Sequence, residues 1–445
     1  MAAVLLVATL AHADDPAPPP DPSRGDRYDG RDQPAKKSSA KDDALAVPRI
    51  LLAPPRLLLR GAEYVTRPIA EWTERTHLPK RILRIFTSDD GQIGLRPEFS
   101  YTAGFIPIFG VTFFDHKFAG PDTDFDVTIE GADPSIVITT AHLRPTRAYR
   151  PVQAEIDANY TRRNDQLFTG IGMIDTQVNP AARYSVDAFD FGASTILTLS
   201  RSARLALGEA FGLRRYGDGR FISGDLPITE LFCVRDSHGF CVPGTVDERE
   251  VPGFHAGTRF LRSAAALRVD TRDSTFRPSS GAELHLEAQY THGVGEDESS
   301  YFRFHAGVEA ALDLWRRSRV LIVRVRSDLI VPTNDVAVPF TELVVLGGHD
   351  DLRGVRPGRF RDFSSVLATL EYRWPIWMWL DGELFTDVGG VFGKWFKGFD
   401  PRQFVPDVGA GLRLRTMSQF YMRAQLAYGF NSDGFQFFIG ASIEP

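Results

Sequence analysis

The side chains best suited to chemistry are one arginine and two acids. Arg353 stands in the segment "LGGHDDLRGVRPGRFRD", together with Arg356, Arg359 and Arg361, three aspartates, and Gly347, Gly348, Gly354 and Gly358. Glu371 and Asp387 follow in "ATLEY" and "FTDVGGVF". A flat guanidinium can hold two carboxylates at once through charge-assisted hydrogen bonds. The chemistry of such a set is anchoring, not bond making. Asp270, Arg272 and Asp273, in "LRVDTRDSTFRPSSG", form a second cluster, read as an ion-pair network in a lumen. An enzyme of the nucleophilic kind would need a serine or threonine beside a histidine and an acid. His285, His292 and His349 are the candidates, and none has such partners at motif level. No enzymatic activity, cofactor or metal is therefore expected. Cys233 and Cys241, in "LFCVRDSHGFCVPG", suit a disulfide stapling a long loop of an exported protein. Idle thiols, or a metal site using His238, are the alternatives.

The elements that would position these groups are strands of period two. "AELHLEAQYT" places Leu284, Leu286, Ala288 and Tyr290 on one face, and Glu283, His285, Glu287 and Gln289 on the other. "QFYMRAQLAY" and "LIVRVRSDL" alternate likewise. By the same parity, Val366, Ala368, Leu370, Tyr372 and Trp374 form the apolar set of one strand, so Glu371 faces the other way. Leu384, Thr386 and Val388 face out of the next strand, so Asp387 faces inward with Glu383, Phe385 and Gly389. The turn between the two strands centres near Trp379, eight residues from each acid. A regular turn would put Glu371 directly opposite Asp387. Two such carboxylates, about 5 Å apart, repel by roughly 3 kcal/mol at an effective dielectric near 20. A cation is needed between them. Arg353 supplies one if its glycine-rich segment folds back inward.

Charged inner faces, apolar outer faces and aromatic groups near strand ends fit a transmembrane antiparallel β-barrel. A pair of soluble β-sandwiches is the alternative. The chain has 445 residues and a formal charge of −6, which argues against a nucleic-acid partner. No run of apolar residues is long enough for a helical span. Residues 1–13 read as a signal peptide ending in Ala11-His12-Ala13, or else as a frayed apolar terminus. Residues 14–48 are a proline-rich, charged linker that cannot offset its ordering entropy. In 49–90, Leu58, Ala62, Val65, Ile69 and Trp72 make a helical stripe that Pro68 divides into two short helices. These helices either pack at a barrel mouth or lie on the membrane. Residues 91–445 remain for the barrel. At roughly 20–24 residues per strand and connection they make about 16 strands.

Taken in order, "DDLRGVRPGRF", "ATLEY" and "FTDVGGVF" resemble the inward-folded sixth loop and the two following strand motifs of the BamA/TamA superfamily of outer-membrane barrels. "DTRDSTFRPSSG", with Asp270, Thr271, Arg272, Asp273, Pro278 and Gly281, is similar to a further motif of that family, and "SDGFQFFI" to its insertion signal. The matches cover residues 267–445. The resemblance implies a bacterial outer-membrane protein whose loop arginine, Arg353, pairs with Glu371 and Asp387, supported by Gly354, Phe385 and Gly389. It implies lipid around the barrel and an unfolded outer-membrane or secreted protein, or a lipid, as client. Fewer than 40 residues lie between linker and first strand, so a short member without POTRA domains, acting as a monomer, is expected. A seam between the first and last strands would admit the client. The alternative is a passive pore or structural surface antigen.

Overall fold

The computed structural model describes residues 86–443 except 89, 121–122, 146–150, 174–180, 221–224, 276, 296–297, 378–379, 416–419 and 431–432. The regions read as signal peptide and linker, and nearly all of the helical segment, lie outside the described residues. Sixteen antiparallel strands form one closed wall. They are β1 Ile93–Thr102, β2 Ile108–Asp115, β3 Thr123–Asp133, β4 Ile136–Pro145, β5 Val152–Phe168, β6 Ala182–Thr198, β7 Ala203–Asp218 and β8 Thr258–Asp270, then β9 Gly281–Gly293, β10 Tyr301–Trp315, β11 Arg319–Pro332, β12 Ser364–Trp377, β13 Leu380–Phe392, β14 Val405–Arg415, β15 Phe420–Gly429 and β16 Gly434–Ile443. Each pairs with its neighbour in sequence, and β1 pairs with β16. A two-residue strand, Leu226–Pro227, adds to β6 in parallel.

The alternation in the sequence decides which residues line the lumen. Leu286, Val308, Val325, Leu370 and Leu426 are exposed on the outer wall, where lipid replaces water. Thr369, Glu371, Asp387 and Gln425, one position out of phase on their strands, are buried inside. Some outer positions break the rule, Arg162 with Asp187 among them. Glu209 lies between Leu207 and Phe211 on the outward side of β7, opposite Ser263 of β8. Its Oε2 accepts a hydrogen bond from Ser263 Oγ at 2.8 Å.

The two rims differ. At one, β6–β7 and β10–β11 are joined by the short turns 199–202 and 316–318, and two residues separate β12 from β13. At the other, residues 219–257 and 333–363 form long connections. Short turns mark the periplasmic rim of such barrels and long loops the extracellular one. The long loops fold over the extracellular mouth and build a core there. Ile228, Val246, Val251, Phe254 and Phe340 pack with Phe168, Ala182 and Tyr184 of the wall. Phe340 makes edge-on ring contacts with Phe168, Tyr184 and Tyr216. This apolar lid offsets the cost of ordering two long loops.

Candidate functional site

The segment 346–362 is tied down at both ends before its centre can be placed. Val344–Leu346 pairs antiparallel with Phe360–Asp362, making the segment a closed hairpin-like loop. Gly347, Gly348 and Gly358 have φ of 120°, 110° and 80°, values that L side chains seldom adopt. Leu346, Leu352, Val355 and Phe360 pack on Leu367, Val391 and Val405 of the inner wall. Val355, which follows Arg353-Gly354, is fully packed.

Arg353 reaches the inward faces of β12 and β13. Its Nε and Nη2 donate to Asp387 Oδ2 and Oδ1 at 2.7 and 2.9 Å, a bidentate pair. Its Nη1 donates to Glu371 Oε2 at 3.1 Å. The guanidinium lies 3.4 Å from the centre of the Phe385 ring. Arg353, Glu371 and Asp387 are all buried. Thr369 Oγ1 also donates to Asp387 Oδ1, at 2.7 Å.

The expected register needs correction. Glu371 faces Phe385 and Asp387 faces Thr369, so the two acids sit diagonally, not directly opposite. Trp377 pairs with Leu380, not symmetrically about Trp379, and a one-residue register shift between Pro375 and Trp377 adds to this, so together they move the partner of Glu371 by two residues. A shift of two leaves every side chain on its own face. Both acids therefore stay within reach of one guanidinium. Phe385 lies opposite Glu371 and under Arg353.

Gly354 contributes in a different way. Its φ is not left-handed, but a Cβ there would lie 2.5 Å from the Gly429 nitrogen and 2.7 Å from Asp407 Cβ. Only glycine lets the loop backbone approach the wall so closely. Its N–H donates to Asp407 Oδ2 at 2.7 Å, and Asp407 Oδ1 accepts from the Asp387 N–H at 3.2 Å. Gly389 packs equally tightly, 2.7 Å from the Val366 carbonyl if given a Cβ.

The site is larger than the sequence reading. Arg373 Nε donates to Glu371, and Arg413 Nε lies 2.8 Å from Glu383 Oε2. Gln425 Nε2 also donates to Glu383. Arg423 reaches Asp350 Oδ1 and the His349 carbonyl, both at 3.3 Å. Four arginines and five acids, Asp350 of the loop included, thus interleave across β12–β15 and the loop. The loop also meets the closing seam. His349 stacks flat on Phe438 of β16, ring centres 3.9 Å apart, and Arg356 Nε donates to Asp433 Oδ1 at 2.8 Å.

Of the second cluster, Asp270 and Arg272 come together and Asp273 does not. Arg272 binds both oxygens of Asp270, at 2.9 and 2.8 Å, and Glu309 at 2.8 Å, and it also pairs with Glu283. Asp273 instead caps its own turn, accepting from the Ser279 and Ser280 N–H groups at 2.8 and 3.1 Å. The turn needs it there, because Gly281 follows at φ 101° and brings the chain back against Thr271. Cys233 and Cys241 form a disulfide on the long loop 219–257. His285 sits 5.1 Å from His305 in the lumen, and His292 Nδ1 lies 3.3 Å from Ser300 Oγ.

A closed sixteen-strand barrel with a charged lumen and an apolar belt defines an outer-membrane β-barrel protein. Residues 256–443 match the Omp85 superfamily domain, over the part of the chain that carries the motif resemblance. The structure of BamA from Haemophilus ducreyi lacking POTRA domains 1–3 is similar over 79% of this chain and 70% of its own, at 12% identity and a TM-score of 0.57. CdiB from Acinetobacter baumannii matches over 79% of this chain and 60% of its own, at 10% identity and a TM-score of 0.49. No curated protein sequence matches the chain.

Proposed function

We propose that this barrel assists the insertion or translocation of a polypeptide or lipid across the outer membrane, with segment 346–362 as an anchored brace in its lumen. The observation that carries the reading is the bidentate grip of Arg353 on Asp387 with its third contact on Glu371. Such a set of buried charges holds the loop in one conformation against the lumen wall. The seam adds support. β1 and β16 share only the pairs Phe99–Ala441 to Thr102–Phe438, whereas β15 and β16 pair along their whole length. Short pairing leaves strand edges that can template an incoming strand. The likeness to BamA is one of fold, and its client class is carried over here as part of the proposal.

The signal peptide, linker and helical segment belong to the same proposal, as the route and tether of an exported barrel. The test is a seam lock. Phe99→Cys with Ala441→Cys, oxidised, should abolish insertion of a model outer-membrane protein into vesicles, and reduction should restore it. Full activity of the oxidised form would sink the proposal. It would favour a structural surface barrel, which the packed extracellular lid also suits.

A further inference from the structure

The outer wall carries a trough that the lumenal site does not explain. It holds about 540 Å³ and crosses β7 to β11. Small residues make its floor: Ala265 pairs with Ala288, and Ala306 sits between Leu286 and Ser327. Phe304 walls one side, and Phe396, from the extracellular connection 393–404, overhangs the upper end. Leu205, Ala265, Leu267, Leu286, Ala288, Phe304, Ala306, Ser327 and Leu329 have outward parity, in step with the exposed Val308 and Val325, while Glu287, His305 and Asp328, of lumenal parity, also border it. The row Leu205–Leu267–Leu286–Ala306–Ser327 spans four strand spacings. That is roughly 19 Å. At a strand tilt near 45° it descends about 13 Å, close to one leaflet of a 30 Å hydrocarbon core.

The overhanging loop has an unusual make-up for a surface turn. Trp395 (φ 54°, ψ 39°) and Phe396 (φ 57°) are consecutive aromatics in the left-handed region. Bulky residues seldom adopt it. This turn leaves Trp395 68% exposed while Phe396 covers the trough. Lys394 and Lys397 flank the pair, both exposed. Lys394 Nζ lies 5.1 Å over the Phe363 ring. Among the described residues neither lysine has a carboxylate partner, whereas the nearby Arg402 is paired with Asp400. Unpaired cations and an exposed indole at the rim, above an apolar trough one leaflet deep, complement an anionic lipid.

We infer that this trough is a binding site for an anionic, phosphate-bearing lipid of the outer leaflet. One acyl chain lies along Ala265, Ala288 and Ala306 under Phe396, and Lys394 and Lys397 hold the head group. The site is separate from the lumenal anchor and does not depend on insertase activity.

Native mass spectrometry of the full-length barrel in detergent, offered equal amounts of dioleoylphosphatidylglycerol and dioleoylphosphatidylcholine, tests this. The wild type should retain one lipid, with the anionic one favoured by about fivefold for each lysine engaged. Lys394→Gln with Lys397→Gln should bring the two lipids to parity without abolishing retention. Ala306→Phe should fill the trough and abolish retention of both. Should it fail to give the heat-modifiable folded form, Ala288→Leu serves the same end with a smaller side chain. Equal retention of both lipids by the wild type would overturn the inference. So would undiminished retention by a folded trough-filling variant. A lipid-free barrel that runs as a dimer, lost on filling the trough, would assign the surface to a second copy and overturn it as well.

Discussion

The N–H of Gly354 points at Asp407 Oδ2 from 2.7 Å, while the other oxygen of the same carboxylate accepts from the N–H of Asp387. One acid on β14 thereby joins the loop backbone to the strand that holds Arg353. The anchor is fastened through main chain as well as through side chains. Removal of either fastening should be felt separately.

Arg353→Ala leaves Glu371 and Asp387 buried without their shared cation, although Arg373 still reaches Glu371. Loss of one partner from such a set costs about 3–5 kcal/mol. The temperature at which the folded form is lost in heat-modifiable gel migration should fall. Arg353→Lys should fall part of the way, because an ammonium cannot make the bidentate contact. An unchanged migration profile in both variants would refute the anchoring role.

Gly354→Ala keeps every charge and adds one methyl group against the Gly429 backbone. Backbone cannot swing aside, so the loop must lift, at a cost of about 3 kcal/mol. Protease sensitivity within 346–362 should rise while the wall stays folded. Asp407→Asn avoids the clash and keeps one acceptor, so its loop should stay more protected than that of the glycine variant.

Glu209→Leu should stabilise the barrel. Glu209 faces the lipid side with only Ser263 as partner among the described residues. A carboxylate in the hydrocarbon belt costs up to a few kcal/mol, less than a lysine would, and leucine should recover about 1–2 kcal/mol. Urea titration of folding into vesicles measures it. A loss of stability instead would show that Glu209 serves a partner.

The turn 271–281 should loosen in acid. Burial pushes Asp273 up, but hydrogen bonds from Ser279 and Ser280 outweigh it and hold its carboxyl below the usual aspartate range. The folded pKa is thus depressed. Its contribution is present above the ordinary aspartate pKa and is lost as pH falls through the lowered folded value. Amide exchange in this turn, corrected for intrinsic rate, should accelerate only there. Asp273→Asn should remove the pH step.

Cys233→Ser with Cys241→Ser should cost about 2–3 kcal/mol of local loop stability, as expected from the short ring the bond closes. The effect should stay in 219–257. Exchange protection of Ile228 and Val251 should drop while that of β12 and β13 does not move.

The barrel was legible because a lipid-facing strand must alternate, and parity assigned Glu371 and Asp387 to the lumen without any knowledge of partners. Their exact apposition was not legible. It depended on a bulge at the head of the turn, which the tryptophan-rich "WPIWMW" does not announce. Asp407, Glu383, Arg413 and Arg423 were missed for another reason. Each is one more polar residue of the right parity, and only the register of β13, β14 and β15 tells that they meet. Asp273 was grouped with Arg272 by adjacency, yet its carboxylate turns to Ser279 and Ser280 of the returning chain. The lid of Ile228, Val251, Phe254 and Phe340 carries no periodicity at all, since it is made from loops.

The flat stack of His349 on Phe438 has a mechanical consequence. The imidazole belongs to the hairpin gripped by Arg353, and the phenyl ring to the final stave of the cylinder. Peeling that stave away from its first neighbour must unstack the two rings. The stack therefore couples hairpin and stave, and force applied at one is felt at the other.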